Sequence, residues 1–488
     1  MADKERPHEI KSDPAKHGDP DKSPEYDGVG EETKYAYDDS RKLGVTGAVF
    51  LIPNKMIGTG IFSTPSGIFA ATGAVGVSLM LWVIGTYSPT LHPEGEAEWD
   101  IQLERVYRHP KYLATCVLAS QMLLLGFSSG NSLAFGRYIL FASGSAAPDG
   151  WAARGIAVAC VTFSVLLHSI FPKWGIRLSN VLGIFKVAIL TFIVFSGFAA
   201  LAGHRKVPNP HNFDKAFRQE TGDGYGGGGA YAYSTALLRI IYSYKGWENA
   251  NYVLGEIKKP RKTLTIAAPL AVGGVTILYV LANVAYFAAI PKSDLAKSEV
   301  IVASLFFRNV FGNSAGARSL PAFVALSTLG NVLAVSFAHA RLNQEFAKEG
   351  WLHFSRFRAS NRPFNAPATA LFLHWVVTII VLLAPPAGPA YNFIVDLYTH
   401  PGAWINGFVV AGLIYLQSSK REDWVLPWHT YLPISILYFL ANIFLAIVPF
   451  IPPTGNWNAE GYPFNVFSVV GVGVLLLGVM YWNCWTRV

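Results

Sequence analysis

Asn54-Lys55-Met56-Ile57-Gly58-Thr59-Gly60-Ile61-Phe62-Ser63-Thr64-Pro65 is the stretch on which the fold turns. It lies inside an apolar run, residues 46–70, that is long enough to cross a bilayer as a helix. Two glycines one residue apart, followed by a proline, interrupt that helix. Glycine favours unwinding, and unwound backbone at membrane depth is tolerated only where it lines a cavity. Backbone N–H groups freed at such a break, helped by the positive end of a half-helix dipole, suit a carboxylate. A competing reading of the same glycines is a close helix crossing.

Working outward, runs of similar length recur near 73–90, 113–144, 151–171, 178–203, 231–255, 266–290, 319–342, 367–385, 391–417, 428–450 and 463–486, making twelve with the first. The chain of 488 residues is 52% hydrophobic and only 14% charged, against about 25% for soluble domains. Much of its surface is therefore expected to face lipid. The net charge of +8 does not point to nucleic acid, because the basic residues sit in short clusters between apolar runs. Those clusters follow the even-numbered runs, as with Lys258, Lys259, Arg261 and Lys262 after run 6. The short connections on the other side (145–150, 386–390 and 451–462) hold no Lys or Arg. Both termini are thus expected in the cytoplasm. Residues 1–45 are polar and poor in aliphatics and read as a disordered tail. Residues 204–230, Gly-rich at Gly226 to Gly229, read as an exposed linker. Cys116, Cys160 and Cys484 give neither a disulfide framework nor metal-ligand spacing.

Run 6 carries a second interruption, Tyr242-Ser243-Tyr244-Lys245-Gly246-Trp247-Glu248-Asn249-Ala250-Asn251. Ionisable groups at this depth are costly and usually mark a functional cavity; a solvated helix end is the bland alternative. Paired broken helices in matching positions of two halves point to an inverted-repeat transporter. Ile57-Gly58-Thr59-Gly60-Ile61-Phe62 resembles the run-1 signature of the amino acid–polyamine–organocation superfamily. Tyr244 to Glu248, with Glu256-Ile257-Lys258-Lys259-Pro260, resembles its run 6 and the following loop. The L-type branch, and within it the fungal high-affinity methionine permeases, is the nearest likeness. Gly330-Asn331, Arg341-Leu342 and Lys348-Glu349-Gly350-Trp351-Leu352 continue it.

That resemblance implies an all-α polytopic membrane protein with a LeuT-like fold of five plus five inverted helices, about 46–203 and 231–417, and two appended helices. It implies plasma-membrane uptake of methionine or a related neutral amino acid with a proton, or exchange of large neutral amino acids, without a cofactor. Backbone at Gly58, Thr59 and Gly60 would hold the substrate carboxylate. Carbonyls near Ile57 and around Tyr242 and Ser243 would take its amino group. Tyr244 and Trp247 would gate or line the side-chain pocket, with Ile61 and Gly246 in the same two motifs. Lys186, in run 5, would occupy the place of a sodium ion and touch the run-1 break. It is the candidate coupling group, with Glu248 beside it; a static charge fixing run 1 to run 5 is the other reading. By likeness to similar permeases, Lys16, Lys22 and Lys34 in the tail would serve ubiquitin-ligase machinery.

Other polar residues stay ambiguous. Asn131, with Ser128 and Ser129, either faces the pocket or bonds between helices. Ser327 and Thr328 share that ambiguity. Arg137, Arg239 and Asp396 snorkel or pair. Lys55 reads as a support of the break, and His168, His339 and His374 as isolated. No Ser-His-Asp arrangement, phosphate loop or carboxylate pair suggests an enzyme. Two departures from the family pattern stand out. Residues 86–101 lose the likeness abruptly, as a misread intron, alternative exon or frameshift would. A shortened run 2 there would leave a defective carrier or a non-transporting receptor. Lys245 stands in the run-6 break, where relatives have a smaller or neutral residue.

Overall fold

The computed structural model describes residues 45–85, 103–145 without 105, 150–220, 222, 225, 228–247, 260–348, 350, 355, 359–361, 366–385, 390–418, 431–453 and 463–485. The tail with its three lysines, the aberrant 86–101 segment, Glu248 and the basic cluster 258–259 lie outside them. Residues 43–488 belong to one unit.

Run 1 divides where its glycines are. α1 (Val45–Met56) stops at Ile57, and α2 (Thr59–Thr72) restarts after Gly58. Gly73, at φ +66, closes α2 with its N–H on the Phe69 carbonyl. α3 (Val75–Ile84) follows, and its run continues beyond the described residues. Run 3 is also interrupted, which its composition did not announce: α4 (Leu113–Leu125) and α5 (Ser129–Ala142) flank Gly126-Phe127-Ser128. Then come α6 (Trp151–Ile170), α7 (Pro172–Leu201) and α8 (Ala230–Tyr244). α7 begins six residues earlier than the apolar run suggests; Pro172 opens it at a position whose missing N–H costs nothing. The second half holds α9 (Pro260–Ala289), the short α10 (Lys292–Lys297) and α11 (Val302–Phe311), then α12 (Ala315–Lys348) and α13 (Ala368–Leu383). α14 (Ala390–Ser418), α15 (Leu432–Ile447) with a 3-10 turn, and α16 (Val466–Trp485) complete it.

Twelve runs become 7 helices that are long and apolar enough to span a membrane, among the described residues. The shortfall has local causes. Runs 1 and 6 are broken, run 2 leaves the described residues, and α13 has only 16 residues. α14 has the length, but Asn392, Asp396, His400 and Asn406 lower its hydropathy. The outward faces are apolar, with Ile184 72%, Leu437 69% and Phe195 66% exposed, as lipid contact requires. Inside, α2 lies along α8, α5 along α12, and α7 between α9 and α12. The outcome is a polytopic, helical membrane fold among the described residues.

Residues 204–220 form a mostly exposed loop, as their composition suggests, but it is pinned to the bundle at a few points. Asn212 is buried and donates to the carbonyls of Phe287 and Ile290 at 2.8 and 2.6 Å, capping the end of α9. The Gly76 N–H reaches the Ala216 carbonyl, the Glu220 N–H reaches that of Gly73, and Lys292 binds Glu220 at 2.9 Å. That hydrogen bond is the main reason the Glu220 carboxyl sits below its usual pKa. A depressed carboxylate contributes stability above its unfolded pKa and loses it as pH falls through the folded value. The contribution here is within the ~0.2–1 kcal/mol of exposed pairs, since water reaches both groups. Proteolytic nicking of this strap is therefore expected to rise as pH drops through the carboxylate range. Glu220→Gln should cleave at the acid-limit rate at every pH. A wild-type profile as flat as the variant's would remove the pair from the strap's stability.

Candidate functional site

The ends created by the run-1 break account for most of the site. The last carbonyls of a helix have no partner within it, and α1 places its own in reach of three neighbouring helices. Pro53 accepts from the Ile57 N–H at 2.9 Å. Asn54 accepts from Lys186 Nζ on α7 at 2.6 Å. Lys55 accepts from Asn331 Nδ2 on α12 at 2.7 Å, and Met56 from the Tyr279 hydroxyl on α9 at 2.9 Å. The same Tyr279 hydroxyl donates to the Ser243 carbonyl at 3.1 Å, so one side chain ties the α1 end to the α8 end. Lys186 is fully buried, and its ammonium lies at the negative end of the α1 dipole, where a cation is favoured.

Across the break, α2 presents the positive end of its dipole with no cap from its own N-cap residue, Gly58. The Thr59 N–H instead donates to Asn131 Oδ1 on α5 at 3.1 Å. Thr59 Oγ1 lies 3.2 Å from the Tyr242 hydroxyl. Gly60 permits the approach of α8: a Cβ there would stand 2.5 Å from Ser243 Cα. Gly246 turns the chain after α8 at φ +119, a conformation that side chains resist.

These groups border a small cavity lined by Lys55, Met56, Gly58, Thr59, Gly60, Phe127, Gly130, Asn131, Tyr242, Lys245, Asn331, Val335 and Tyr398. Asn331 and Val335 fall near the middle of α12, so the cavity sits far from the ends of that span. Its walls are mixed. Backbone and amide groups cluster at the break, while Met56, Phe127, Val335 and the Tyr398 ring form an apolar side. Tyr398 meets Tyr242 edge-on at 5.7 Å and Phe127 at 5.5 Å, and Lys245 Nζ lies 5.6 Å over its ring.

Of the residues singled out in the sequence, Gly58, Thr59, Gly60, Asn131 and Tyr242 meet at this cavity. Ile57 and Ile61 are buried behind it in the core. Ser243 bonds to Thr64 Oγ1 and to the Arg239 carbonyl instead. Tyr244 points away, donating to the Trp82 carbonyl at 2.9 Å and touching the rings of Trp82 and Tyr279. Trp247 packs on the core, and Gly246 lies against the backbone of Lys55 and Met56. Lys186 touches the α1 end rather than the cavity. Lys55 and Lys245 are among the lining residues, and Phe127, Gly130, Val335 and Tyr398 come from positions that gave no signal.

The ambiguous polar residues resolve individually. Ser128 and Ser129 bond across to α13, through His374 Nε2 at 3.0 Å and the Thr378 carbonyl at 2.8 Å. Thr328 donates to the Ala325 carbonyl on its own helix. Arg137 pairs with Glu299, and Arg239 grips Asp396 with two nitrogens, at 3.2 and 2.9 Å. His339 and His374 are not isolated; their rings stack at 5.9 Å. His168 lies against the Leu333 carbonyl at 3.1 Å.

A lipid-facing helical bundle with a cavity at broken helix ends defines a membrane carrier for small solutes. Known proteins give the same answer. The family described as Amino acid permease matches residues 99–475. The high-affinity methionine permease of Saccharomyces cerevisiae is 36% identical over 463 residues, 92% of this chain and 79% of that protein. The low-affinity methionine permease of the same yeast is 27% identical, over 91% of this chain and 82% of the relative. The human cystine/glutamate transporter is 29% identical, over 83% and 79%. The chain belongs to the amino acid permease family; it is a multi-pass amino-acid transporter and not an enzyme.

Proposed function

We propose that this permease takes up methionine or a related neutral amino acid across the plasma membrane together with a proton, with both termini in the cytoplasm and the two repeats at about 46–203 and 231–417. The observation that carries the reading is the pairing of opposite helix ends at one cavity. An amino acid has a carboxylate and an ammonium on one carbon. The N–H groups of Gly58, Thr59 and Gly60 at the start of α2 suit the first, and carbonyls at the ends of α1 and α8, near Ile57, Tyr242 and Ser243, suit the second. The apolar wall of Met56, Phe127, Val335 and Tyr398 suits an uncharged side chain. The likeness to two methionine permeases favours a thioether among such side chains. Lys186 serves as the coupling group: its ammonium holds the α1 end, and proton transfer there changes the hold on that end.

The test is uptake of labelled methionine, at mildly acidic and at neutral external pH, by yeast lacking its own methionine permeases. Accumulation that is greater in acid is expected. A parallel chain with residues 86–101 replaced by the relatives' run-2 end separates a wrong substrate from a defective carrier. Surface-expressed protein of both kinds that accumulates no neutral amino acid would overturn the reading.

A further inference from the structure

Two asparagines, one from α5 and one from α12, meet at Gly58. A Cβ on that glycine would lie 2.5 Å from Asn331 Nδ2 and 2.9 Å from Asn131 Oδ1. Each amide presents the break with the atom the backbone lacks. Asn131 offers a carbonyl oxygen to the Thr59 N–H at 3.1 Å. Asn331, 4% exposed, offers an N–H to the Lys55 carbonyl at 2.7 Å and faces the Ile57 carbonyl at 3.5 Å. An acceptor stands where a carboxylate oxygen would be held, and a donor where an ammonium would be held. Together the two side chains reproduce the hydrogen-bonding pattern of an amino acid's α-carbon substituents.

We infer that Asn131 and Asn331 are substrate surrogates, satisfying the broken helix when the carrier is empty and giving way when an amino acid binds. The inference rests on the proposed binding of an amino acid at the break. Its physical basis is the cost of leaving buried backbone groups without partners. A break that bound substrate and had no surrogate would leave those groups bare on each return of the empty carrier. With the asparagines in place the empty protein closes at little cost, so net uptake does not require a second amino acid to ride back. The same contacts compete with substrate, so displacement ties loading to a shift of α5 and α12 against α1 and α2.

Competition and direct ligation predict opposite signs. Asn331→Ala, and separately Asn131→Ala, remove a competitor. Each is expected to bind labelled methionine about five-fold tighter in purified full-length protein, the factor carried by one net hydrogen bond. The thermal shift on adding methionine should exceed that of wild type. Net uptake into unloaded cells should fall more than exchange into methionine-loaded cells. Asn131→Asp places a carboxylate on the α2 N–H groups and should weaken methionine. Asn131 is half-buried, so Asn131→Ala carries the test even where Asn331→Ala does not fold. Weaker binding by the Ala variants, with uptake and exchange falling together, overturns the inference and makes both residues direct ligands. Wild-type protein that binds neither methionine nor any neutral amino acid overturns the functional reading first.

Discussion

Lys186→Met is expected to remove the pH dependence of methionine accumulation and to lower concentrative uptake by about 10- to 100-fold, the range that one charge-assisted hydrogen bond carries. The expectation follows from position. Lys186 is fully buried on α7, and its Nζ donates to the Asn54 carbonyl at 2.6 Å and faces Asn54 Oδ1 at 3.4 Å. No other side chain bonds that carbonyl among the described residues. Methionine matches the lysine stem in length and fills the same slot beside Gly330, so the substitution removes the charge and the donor without opening a large void. The Asn54 carbonyl is then left without its donor, and the α1 end loosens. A purely structural lysine would lower uptake by the same factor at every pH. The decisive quantity is thus the ratio of acid to neutral uptake at matched surface expression. A variant that keeps the wild-type ratio, however slow, would show that the proton enters elsewhere and that Lys186 only fastens α1 to α7.

The parts of this site that were legible in the sequence are those whose chemistry is local. Gly58 and Gly60 signal a break because glycine alters backbone preference where it stands. Polar residues in an apolar run signal burial cost, which located Tyr242, Lys186, Arg239 and Asp396. What was not legible depends on rotation and on distant partners. Tyr242 and Tyr244 are two residues apart and so roughly 200° apart around α8. One faces the cavity and the other faces Trp82, and nothing in the motif Tyr242-Ser243-Tyr244 distinguishes them. Phe127, Val335 and Tyr398 are apolar or aromatic residues in apolar runs, the commonest pattern in the chain. Their role comes from what the α4–α5 break, α12 and α14 happen to meet. The burial of Asn212 within the exposed strap 204–220 was not legible for a related reason. The strap's composition is that of a loop, and only the carbonyls at the end of α9 give Asn212 a reason to be buried.

Asp396→Asn alone and Arg239→Met alone are each expected to destabilise the protein by about 3–5 kcal/mol, the cost of breaking a buried ion pair. The two groups meet as a fork, Nε and one terminal nitrogen of Arg239 on the two oxygens of Asp396, with side chains 10% and 4% exposed. Such a loss is a large part of the ~5–15 kcal/mol that holds a typical fold. Low surface expression and a lowered Tm in detergent are the readouts. The double variant Arg239→Met/Asp396→Leu is expected to regain at least half of that stability, because a buried pair replaced by apolar residues recovers the desolvation cost of both charges. Equal damage in the double and single variants would mean that hydrogen-bond geometry, not charge, holds this joint. The pair also joins two elements of the site. Arg239 accepts at its carbonyl from Ser243 Oγ, which meets Thr64 on α2, while Asp396 precedes Tyr398 of the cavity wall by two residues. The fork therefore sets the rotation of α14 against α8, which an apolar pair of similar volume does not. Recovered stability with methionine uptake still impaired would assign the ion pair to alignment of the cavity. Recovery of both would leave it a structural joint with no hold on the site.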